Sequence, residues 1–165
     1  MKILLATLHA KYVHSSLALP YLASTCASLA GLDFEILELT VNEQQDQLLS
    51  RLHDAAADAV LLSCYIWNTE LTLKLASDLK QLAPATVVVL GGPEVSFGSF
   101  DMMVRNSAID CIVRGEGEES VRELLQALRD RTPLDAVAGI TYREGEEIVA
   151  NPDVRRFYLG EDFRL

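Results

Sequence analysis

The sequence has few cysteines. Cys26, Cys64 and Cys111 are odd in number and dozens of residues apart, so they form neither a disulfide framework nor a C-x-x-C metal or cluster site. A single domain of this length builds its core without cross-links. These features fit a reducing compartment, and we expect the chain itself to contribute no metal ligands.

Basic residues are also scarce. The formal net charge is −10, and the longest basic run is the pair Arg155 and Arg156, which gives little electrostatic support for binding nucleic acid or an anionic membrane. No apolar run approaches the roughly 20 residues of a membrane span, and the apolar start "MKILLAT" is too short for the core of a signal peptide. We therefore expect a cytoplasmic protein that binds a small ligand or another protein, with no nucleic acid and no membrane as partner.

What the sequence does contain is five apolar, β-rich segments that recur at regular intervals. They are residues 2–7, 33–39, 59–65, 86–92 and 110–115. Helical segments fill the intervals between them. Strands that alternate with helices, several of them apolar throughout, indicate a parallel sheet covered on both faces. The sequence thus predicts a doubly wound α/β domain.

The predicted helices each carry an apolar stripe at helical spacing. The stripes are Leu17, Tyr21, Leu22, Cys26 and Leu29 after Ser15 or Ser16 as a cap; Leu48, Leu49 and Leu52; Leu71, Leu75, Leu79 and Leu82 after Asn68 or Thr69; and Val121, Leu124, Leu125 and Leu128. After Pro133 the residues alternate around Glu144 and Gly145, which predicts a β-hairpin at the far edge of the sheet. We expect an α/β domain over 1–132, its hairpin extension over 133–152, and a linker over 153–165.

In such sheets ligands bind outside the carboxyl ends of the strands, so the loops after strands one, three, four and five form the candidate site. Gly91 and Gly92 before Pro93 allow either a simple tight turn or the close approach of a large ligand to the main chain. Gly115 and Glu116 belong to "VRGEGEES", which either caps the next helix or takes part in the site, although its glutamates repel a phosphate.

Two of these loops hold aromatic and imidazole side chains. Tyr65 and Trp67 offer flat contact surface to a ligand, or else pack under the following helix. Cys64 beside them is expected to be a small buried hydrophobe. His9 and His14 have neither the i, i+3 nor the i, i+4 spacing that would join them on one helical face, so we expect them to contribute shape and hydrogen bonds.

Taken together, four stretches resemble the N-terminal cobalamin-binding-type domain of B12-binding radical S-adenosylmethionine proteins. They are "SSLALPYLAS", "DAVLLSCYIWNTE", "VVVLGGPEVS" and "IDCIVRGEGEESVRELL". The segment "LDAVAGITYREGEEIVANP" resembles the glycine-led hairpin that closes that domain. The most specific part of the likeness is "GGP" followed by D-x-I-V-R-G-E-G-E.

The resemblance implies a flavodoxin-like, five-stranded parallel sheet in the order 2-1-3-4-5 that holds cobalamin over the carboxyl ends of the strands. Ser63 falls at the position of a serine that contacts the nucleotide tail of cobalamin, and Gly91 and Gly92 fall at the paired glycines near that tail. Gly115 to Glu118 match the R-G-E-G-E turn, whose role is structural or directed toward a partner domain. The expected cofactor-binding set is His9, Val13, His14, Ser15, Ser63, Cys64, Tyr65, Trp67, Asn68, Gly91, Gly92, Pro93, Glu94, Arg114, Gly115, Glu116 and Glu118.

Two departures from the resemblance matter. The better-known cobalamin modules carry D-x-H-x-x-G, whose histidine is the lower ligand of cobalt. Here His9 has Thr7 in the acid position and Tyr12 in the glycine position, and His14 has Tyr12 and Leu17. We therefore expect bound cobalamin to lack a histidine from this motif. The chain also has no C-x-x-x-C-x-x-C, the thiolate set for a [4Fe-4S] cluster and S-adenosylmethionine, so we expect both in a following domain of the same polypeptide.

The predicted function is a cobalamin-binding domain that presents the corrinoid to a radical S-adenosylmethionine barrel, in a methyltransferase or a related iron–sulfur oxidoreductase, with no catalytic residue of its own. An alternative is a cofactor-free, flavodoxin-like scaffold or interaction domain of the same parent protein. A phosphorelay receiver would need acids at the end of strand one, but the sequence there is "LLATLH". An FMN carrier would need a hydroxyl-rich phosphate loop at the same point, but "LHAKYVHSS" has its serines only at the far end. The sequence therefore disfavours both.

Overall fold

The computed structural model describes residues 1–11 and 15–152. The strands are β1 (Lys2–His9), β2 (Asp33–Thr40), β3 (Ala59–Ser63), β4 (Val87–Gly91), β5 (Cys111–Val113), β6 (Ile140–Glu144) and β7 (Glu147–Ala150). The helices are α1 (Ala18–Thr25), α2 (Gln45–Asp54), α3 (Thr69–Leu82), α4 (Pro93–Ser96), α5 (Ser99–Arg105) and α6 (Glu118–Asp130).

These strands form a single mixed sheet in the order β2-β1-β3-β4-β5-β6-β7. The first five in this order run parallel. β6 pairs antiparallel with β5, and β7 pairs antiparallel with β6. The predicted doubly wound sheet of order 2-1-3-4-5 with an added hairpin is therefore confirmed. Residues that follow β1, β3, β4 and β5 emerge at the same edge of the sheet.

Two apolar cores lie on opposite faces of the sheet. Leu5, Leu61 and Val89 share one core with α1 and α6, whereas the alternate strand residues Leu62 and Leu90 share the other with α2 to α5. Successive side chains of a strand point to opposite faces, so strands that are buried on both faces must be apolar throughout. This explains the uninterrupted apolar segments of the sequence.

The predicted apolar face of the first helix was partly wrong. Leu19 and Leu22 of α1 and Cys26, which follows the helix, pack in the core that they share with α6. Leu17 is 87% exposed and Tyr21 is 61% exposed. The helix is only two turns long and begins one residue after Leu17, so several apolar stripes fit its sequence equally well.

The sequence reasoning missed two short helices after β4. α4 begins at Pro93, a residue whose fixed φ suits the first helical position, and α5 follows after Gly98 in the left-handed conformation. Their exposed faces include Phe97 and Phe100, while only a few side chains such as Met103 reach the core. Apolar residues on both sides of so short a segment leave no clear helical period.

The hairpin extension is fastened at the carboxyl edge of the sheet. The guanidinium of Arg114 donates to the carbonyl oxygens of Ile140 and Asn151, and the amide of Gly139 donates to the carbonyl of Pro152 at 2.8 Å. The end of the described chain therefore lies beside the start of β6, at the same edge as the carboxyl ends of the parallel strands. The predicted linker over 153–165 lies outside the described residues.

Across 1–11 and 15–152, no helix is long and apolar enough to cross a membrane.

We predict that the three thiols of the native protein are unreactive. All three are buried, and burial raises the pKa of Cys26 to about 11 and that of Cys64 to about 12, and also raises that of Cys111. Because the thiolate is the reacting form, DTNB at pH 8 should label no cysteine until guanidinium unfolds the chain, after which all three should react. Fast labelling without denaturant would contradict the buried placement.

Candidate functional site

A row of side-chain positions crosses the carboxyl end of the sheet. Thr7, Ser63, Gly91 and Val113 are direct neighbours in the register of β1, β3, β4 and β5. Because strand side chains alternate, these four positions point to the same face as the α1–α6 core. The two hydroxyl residues of this row, Thr7 and Ser63, therefore lie next to Gly91, which leaves open space on that face.

Beyond this row lies a cleft between α1 and α6. Its volume is about 220 Å³. Its floor is formed by the ends of β3, β4 and β5, one wall by α1, and the other wall by the loop and first turn of α6. The lining residues are Ala18, Leu19, Leu22, Leu61, Leu62, Ser63, Tyr65, Val89, Leu90, Gly91, Gly92, Val113, Gly115, Glu116, Gly117, Glu118 and Val121. The lining is mostly apolar, and its polar groups lie at the floor and the mouth.

The two glycines of "LGGP" have different roles. A Cβ on Gly92 would lie 2.5 Å from the carbonyl oxygen of Cys64, and its φ of +111° is one that side chains rarely adopt, so Gly92 is required by the backbone. A Cβ on Gly91 would meet only atoms of Val113 at 3.9 Å or more. The fold tolerates a side chain at Gly91, and such a side chain would enter the cleft.

The hydroxyl groups at the floor form a pair. Ser63 Oγ donates to Thr7 Oγ1 at 2.5 Å, and Thr7 is fully enclosed. Since the serine proton is directed toward Thr7, the lone pairs of Ser63 Oγ remain to accept a hydrogen bond from the cleft. Thr7 was not among the predicted site residues. Its signal was a polar residue at the end of an otherwise apolar strand, in register with the predicted Ser63.

Asn68 holds the strand ends together and does not reach the cleft. Its amide nitrogen donates to the carbonyls of Leu8 at 2.9 Å and Ser63 at 3.1 Å, and its Oδ1 accepts the amide of Tyr65 at 2.8 Å. The side chain is buried and both of its amide protons are used. Asn68 does not line the cleft, and its contact with a cofactor stays a prediction.

Tyr65 and Trp67 form a parallel stack beside the cleft. Their ring centroids are 4.7 Å apart and the planes differ by 2°, and Trp67 Nε1 donates to the carbonyl of Leu8 at 3.2 Å. Tyr65 lines the cleft. Trp67 is half-exposed and is fixed by its bond to β1, so part of its flat apolar surface is open to a ligand or a partner.

Two predicted contact residues point elsewhere. Cys64 is fully buried in the opposite core with α2 to α5, and the high pKa of its thiol, raised chiefly by burial, makes it a hydrophobe as the sequence suggested. Its side chain therefore does not point into the cleft. The guanidinium of Arg114 is turned to the hairpin carbonyls of Ile140 and Asn151, which makes Arg114 a fastening for the hairpin and not a residue of the cleft.

Of the remaining predicted residues in the loops after β4 and β5, some line the cleft and others do not. Pro93 and Glu94 are exposed at the start of α4 and do not line the cleft. Gly115, Glu116 and Glu118 do line it, at its mouth. Two carboxylates at this position disfavour a ligand that places a free phosphate there.

His9 and Ser16, on either side of residues 12–14, both contact Glu38 of β2. His9 Nε2 is 3.7 Å from Glu38 Oε1, and Glu38 also accepts the amide of Ser16. Ser16 Oγ accepts the amide of Leu19 at 3.3 Å, so of the two predicted cap residues it is Ser16, and not the exposed Ser15, that bonds to the helix. The predicted contacts Val13 and His14 lie outside the described residues.

The arrangement of the cleft suits the binding of a ligand. Within 1–11 and 15–152, no three His, Cys, Asp or Glu residues are grouped so as to hold a metal ion. The floor offers hydroxyl oxygens, the walls offer apolar surface, and the glycine at the centre leaves room for a ligand atom against the main chain.

Comparisons with known proteins agree with this geometry. The B12 binding domain family matches residues 3–125. The chain is 35% identical over 128 residues to the 2-(S-pantetheinyl)-carbapenam-3-carboxylate methyltransferase of Streptantibioticus cattleyicolor, a match that covers 77% of this chain and 18% of that protein. It is 37% identical over 100 residues to the cobalamin-dependent radical SAM methyltransferase TokK of Streptomyces tokunonensis, covering 60% of this chain and 15% of that protein.

A solved structure shares the fold. The cobalamin-dependent S-adenosylmethionine radical enzyme OxsB, with aqua-cobalamin and S-adenosylmethionine bound, superposes with a TM-score of 0.78 at 21% identity. The superposition covers 92% of this chain and 22% of OxsB. The chain thus spans less than a quarter of the length of each of these three proteins.

We predict opposite outcomes for alanine at the two adjacent glycines. Gly92→Ala should lower the free energy of unfolding by about 2–4 kcal/mol, because it adds backbone strain and a clash with Cys64. Gly91→Ala is the matched control and should change it by less than about 1 kcal/mol. Urea unfolding followed by circular dichroism measures both, and equal losses would contradict the different roles of the two residues.

Proposed function

The chain belongs to the B12-binding domain family, and we propose that it binds cobalamin over the carboxyl ends of its parallel strands, with the nucleotide tail in the cleft between α1 and α6. The observation that carries the proposal is Gly91, which stands beside Ser63 in register and at which a side chain would fill the cleft without disturbing the fold. Such a position serves a ligand that needs contact with the main chain.

The size and lining of the cleft suit part of cobalamin. Sites for drug-sized ligands measure about 300–1,000 Å³, and the cleft, at about 220 Å³, is smaller. It therefore accommodates a slender segment and leaves a macrocycle outside. Apolar walls from Leu19 and Val121 suit the flat base of the tail, and the lone pairs of Ser63 Oγ suit a donor on the ligand.

Exposed apolar side chains follow β3 and α4. Ile66 is 80% exposed and Phe97 is 79% exposed. Together with the stack of Tyr65 and Trp67 they offer a flat apolar surface at the edge where the corrin ring would lie. Exposed apolar clusters of this kind mark ligand or partner surfaces.

The acidic mouth separates cobalamin from an FMN-type ligand. Glu116 and Glu118 would repel a terminal phosphate that carries a full negative charge. The phosphate of cobalamin is a phosphodiester with a single negative charge, whereas the terminal phosphate of FMN is a monoester whose charge at neutral pH is about −1.5 to −2, so the repulsion is weaker for cobalamin. The cleft therefore favours the corrinoid over a flavin phosphate.

We further propose that the cobalt receives no ligand from His9. The Nε2 atom of His9 is enclosed beside Glu38 on β2, and Thr7, in the position where the better-known motif has its acid, bonds to Ser63 instead. Both features turn these residues inward and support binding of cobalamin without a D-x-H-x-x-G lower ligand.

Bound cobalamin would supply a cobalt centre able to carry a methyl group. The chain's own residues would hold the corrinoid, orient it and exclude water from its tail, while catalysis would lie in a following radical S-adenosylmethionine domain with its [4Fe-4S] cluster. The names of the relatives and their greater length support this parent enzyme.

We predict that the purified chain retains cobalamin. After incubation with hydroxocobalamin and desalting, the protein fraction should keep the corrin spectrum. A ligand at about 100 times its Kd should add about 2.7 kcal/mol to the free energy of unfolding, which raises the melting temperature. Loss of all colour with no thermal shift would favour the cofactor-free scaffold.

The same experiment includes two histidine variants. His9→Ala should leave the visible spectrum of bound cobalamin unchanged, as should the matched control His53→Ala, since His53 lies on α2 across the sheet. A spectral change in His9→Ala alone would show that this histidine is a cobalt ligand after all.

A further inference from the structure

Ser96 links the two glycine loops at the mouth of the cleft. This last residue of α4 donates from Oγ to the carbonyl of Gly92 at 2.8 Å and accepts the amide of Gly115 at 3.0 Å. A hydroxyl has one proton and can accept as well as donate, so a single atom connects the loop after β4 to the loop after β5.

The hydrogen bonds between β4 and β5 do little to fix the distance between these two loops. β4 and β5 pair through only three residues each, and the ladder ends at Gly91 and Val113. Gly92 and Gly115 both have positive φ, and glycine backbones are freer than those of other residues. The hydrogen bonds of Ser96 therefore extend the link between β4 and β5 beyond the point where the ladder stops.

Ser96 acts on the cleft from outside. It does not line the cleft, whereas both of its partners do. Its neighbour Val95 is fully buried in the core with α2 to α5, so α4 is anchored on one face of the sheet while its last hydroxyl reaches the loops that border the cleft on the other.

We propose that Ser96 is a positioning residue that sets the separation of the Gly92 and Gly115 loops and thereby the fit of the cleft to the nucleotide tail. The proposal rests on the proposed function, because the tail is the ligand whose binding it tunes. Loss of the hydroxyl would leave the cleft formed but of variable width, and the bound tail would then have to restrain both loops at its own cost in affinity.

The test compares three variants of the purified 165-residue chain. Ser96→Ala removes both hydrogen bonds, Ser96→Thr keeps a hydroxyl, and Ser50→Ala is the matched control. Ser50 Oγ bonds to Asp54 Oδ2 at 2.9 Å on α2, on the face of the sheet opposite the cleft. The measurements are the Kd of cobalamin by titration, the melting temperature without ligand, and amide hydrogen exchange at Gly115 by NMR.

Ser96→Ala should weaken cobalamin binding about tenfold, as expected for the loss of hydrogen bonds that order a binding loop. Exchange at the Gly115 amide should become faster, and the melting temperature should fall no further than in Ser50→Ala. Ser96→Thr should restore most of the affinity and the protection of Gly115.

Two results would overturn the inference in distinguishable ways. If Ser96→Ala binds cobalamin as tightly as wild-type protein, whether or not its melting temperature falls, Ser96 has no positioning role although the proposed function stands. If wild-type protein binds no cobalamin, the proposed function fails and this inference fails with it.

Discussion

The contact between Gly92 and Cys64 determines the shape of the carboxyl end of this sheet. The amide of Cys64 donates to the carbonyl of Gly91 at 2.7 Å, and the α-carbon of the next residue then lies so close to Cys64 that no Cβ fits there. The chain must turn away at this point, where α4 begins. The mouth of the cleft, the position of Ser96 and the open space at Gly91 all follow from that turn.

A second set of buried polar contacts keeps β1 and β3 in place below the turn. Asn68, at the start of α3, donates hydrogen bonds to the carbonyls of Leu8 and Ser63. Thr7 Oγ1 accepts a hydrogen bond from Ser63 Oγ. Buried polar groups are costly unless they are paired, and here they are paired with one another. The floor of the cleft is therefore rigid before any ligand arrives, which reduces the ordering cost of binding.

Much of this architecture could be predicted from sequence. Apolar strands at regular intervals predicted a parallel sheet, and the alternation around Gly145 predicted the hairpin. Both patterns lie within single segments of the chain, because each reflects which side chains of that segment are buried. The loops that form the cleft were also predicted, since all ligand sites of such sheets lie at the carboxyl ends. Ser63, Tyr65 and Gly91, which were predicted at this edge, line the cleft, and their contact with a cofactor stays a prediction.

The roles of individual residues could not be predicted in the same way. Whether Asn68 binds a ligand or a carbonyl depends on Leu8, which is 60 positions away in sequence. Arg114 bonds to Asn151 through a separation of 37 residues, and the link between Ser96 and Gly115 depends on where the turn at Gly92 places α4. Such contacts form only when the strands are in register, so no local sequence pattern predicts them.

Whether the cleft at Gly91 holds the nucleotide tail of cobalamin is tested most directly by comparing cobalamin with cobinamide, a corrinoid that lacks this tail. Wild-type protein should bind cobalamin at least about tenfold more tightly than cobinamide, a difference of about 1.4 kcal/mol. Gly91→Val, which fills the cleft, should bring the two affinities together by weakening cobalamin alone. Equal binding of both corrinoids by the wild-type protein, or a preference that survives in Gly91→Val, would contradict the account.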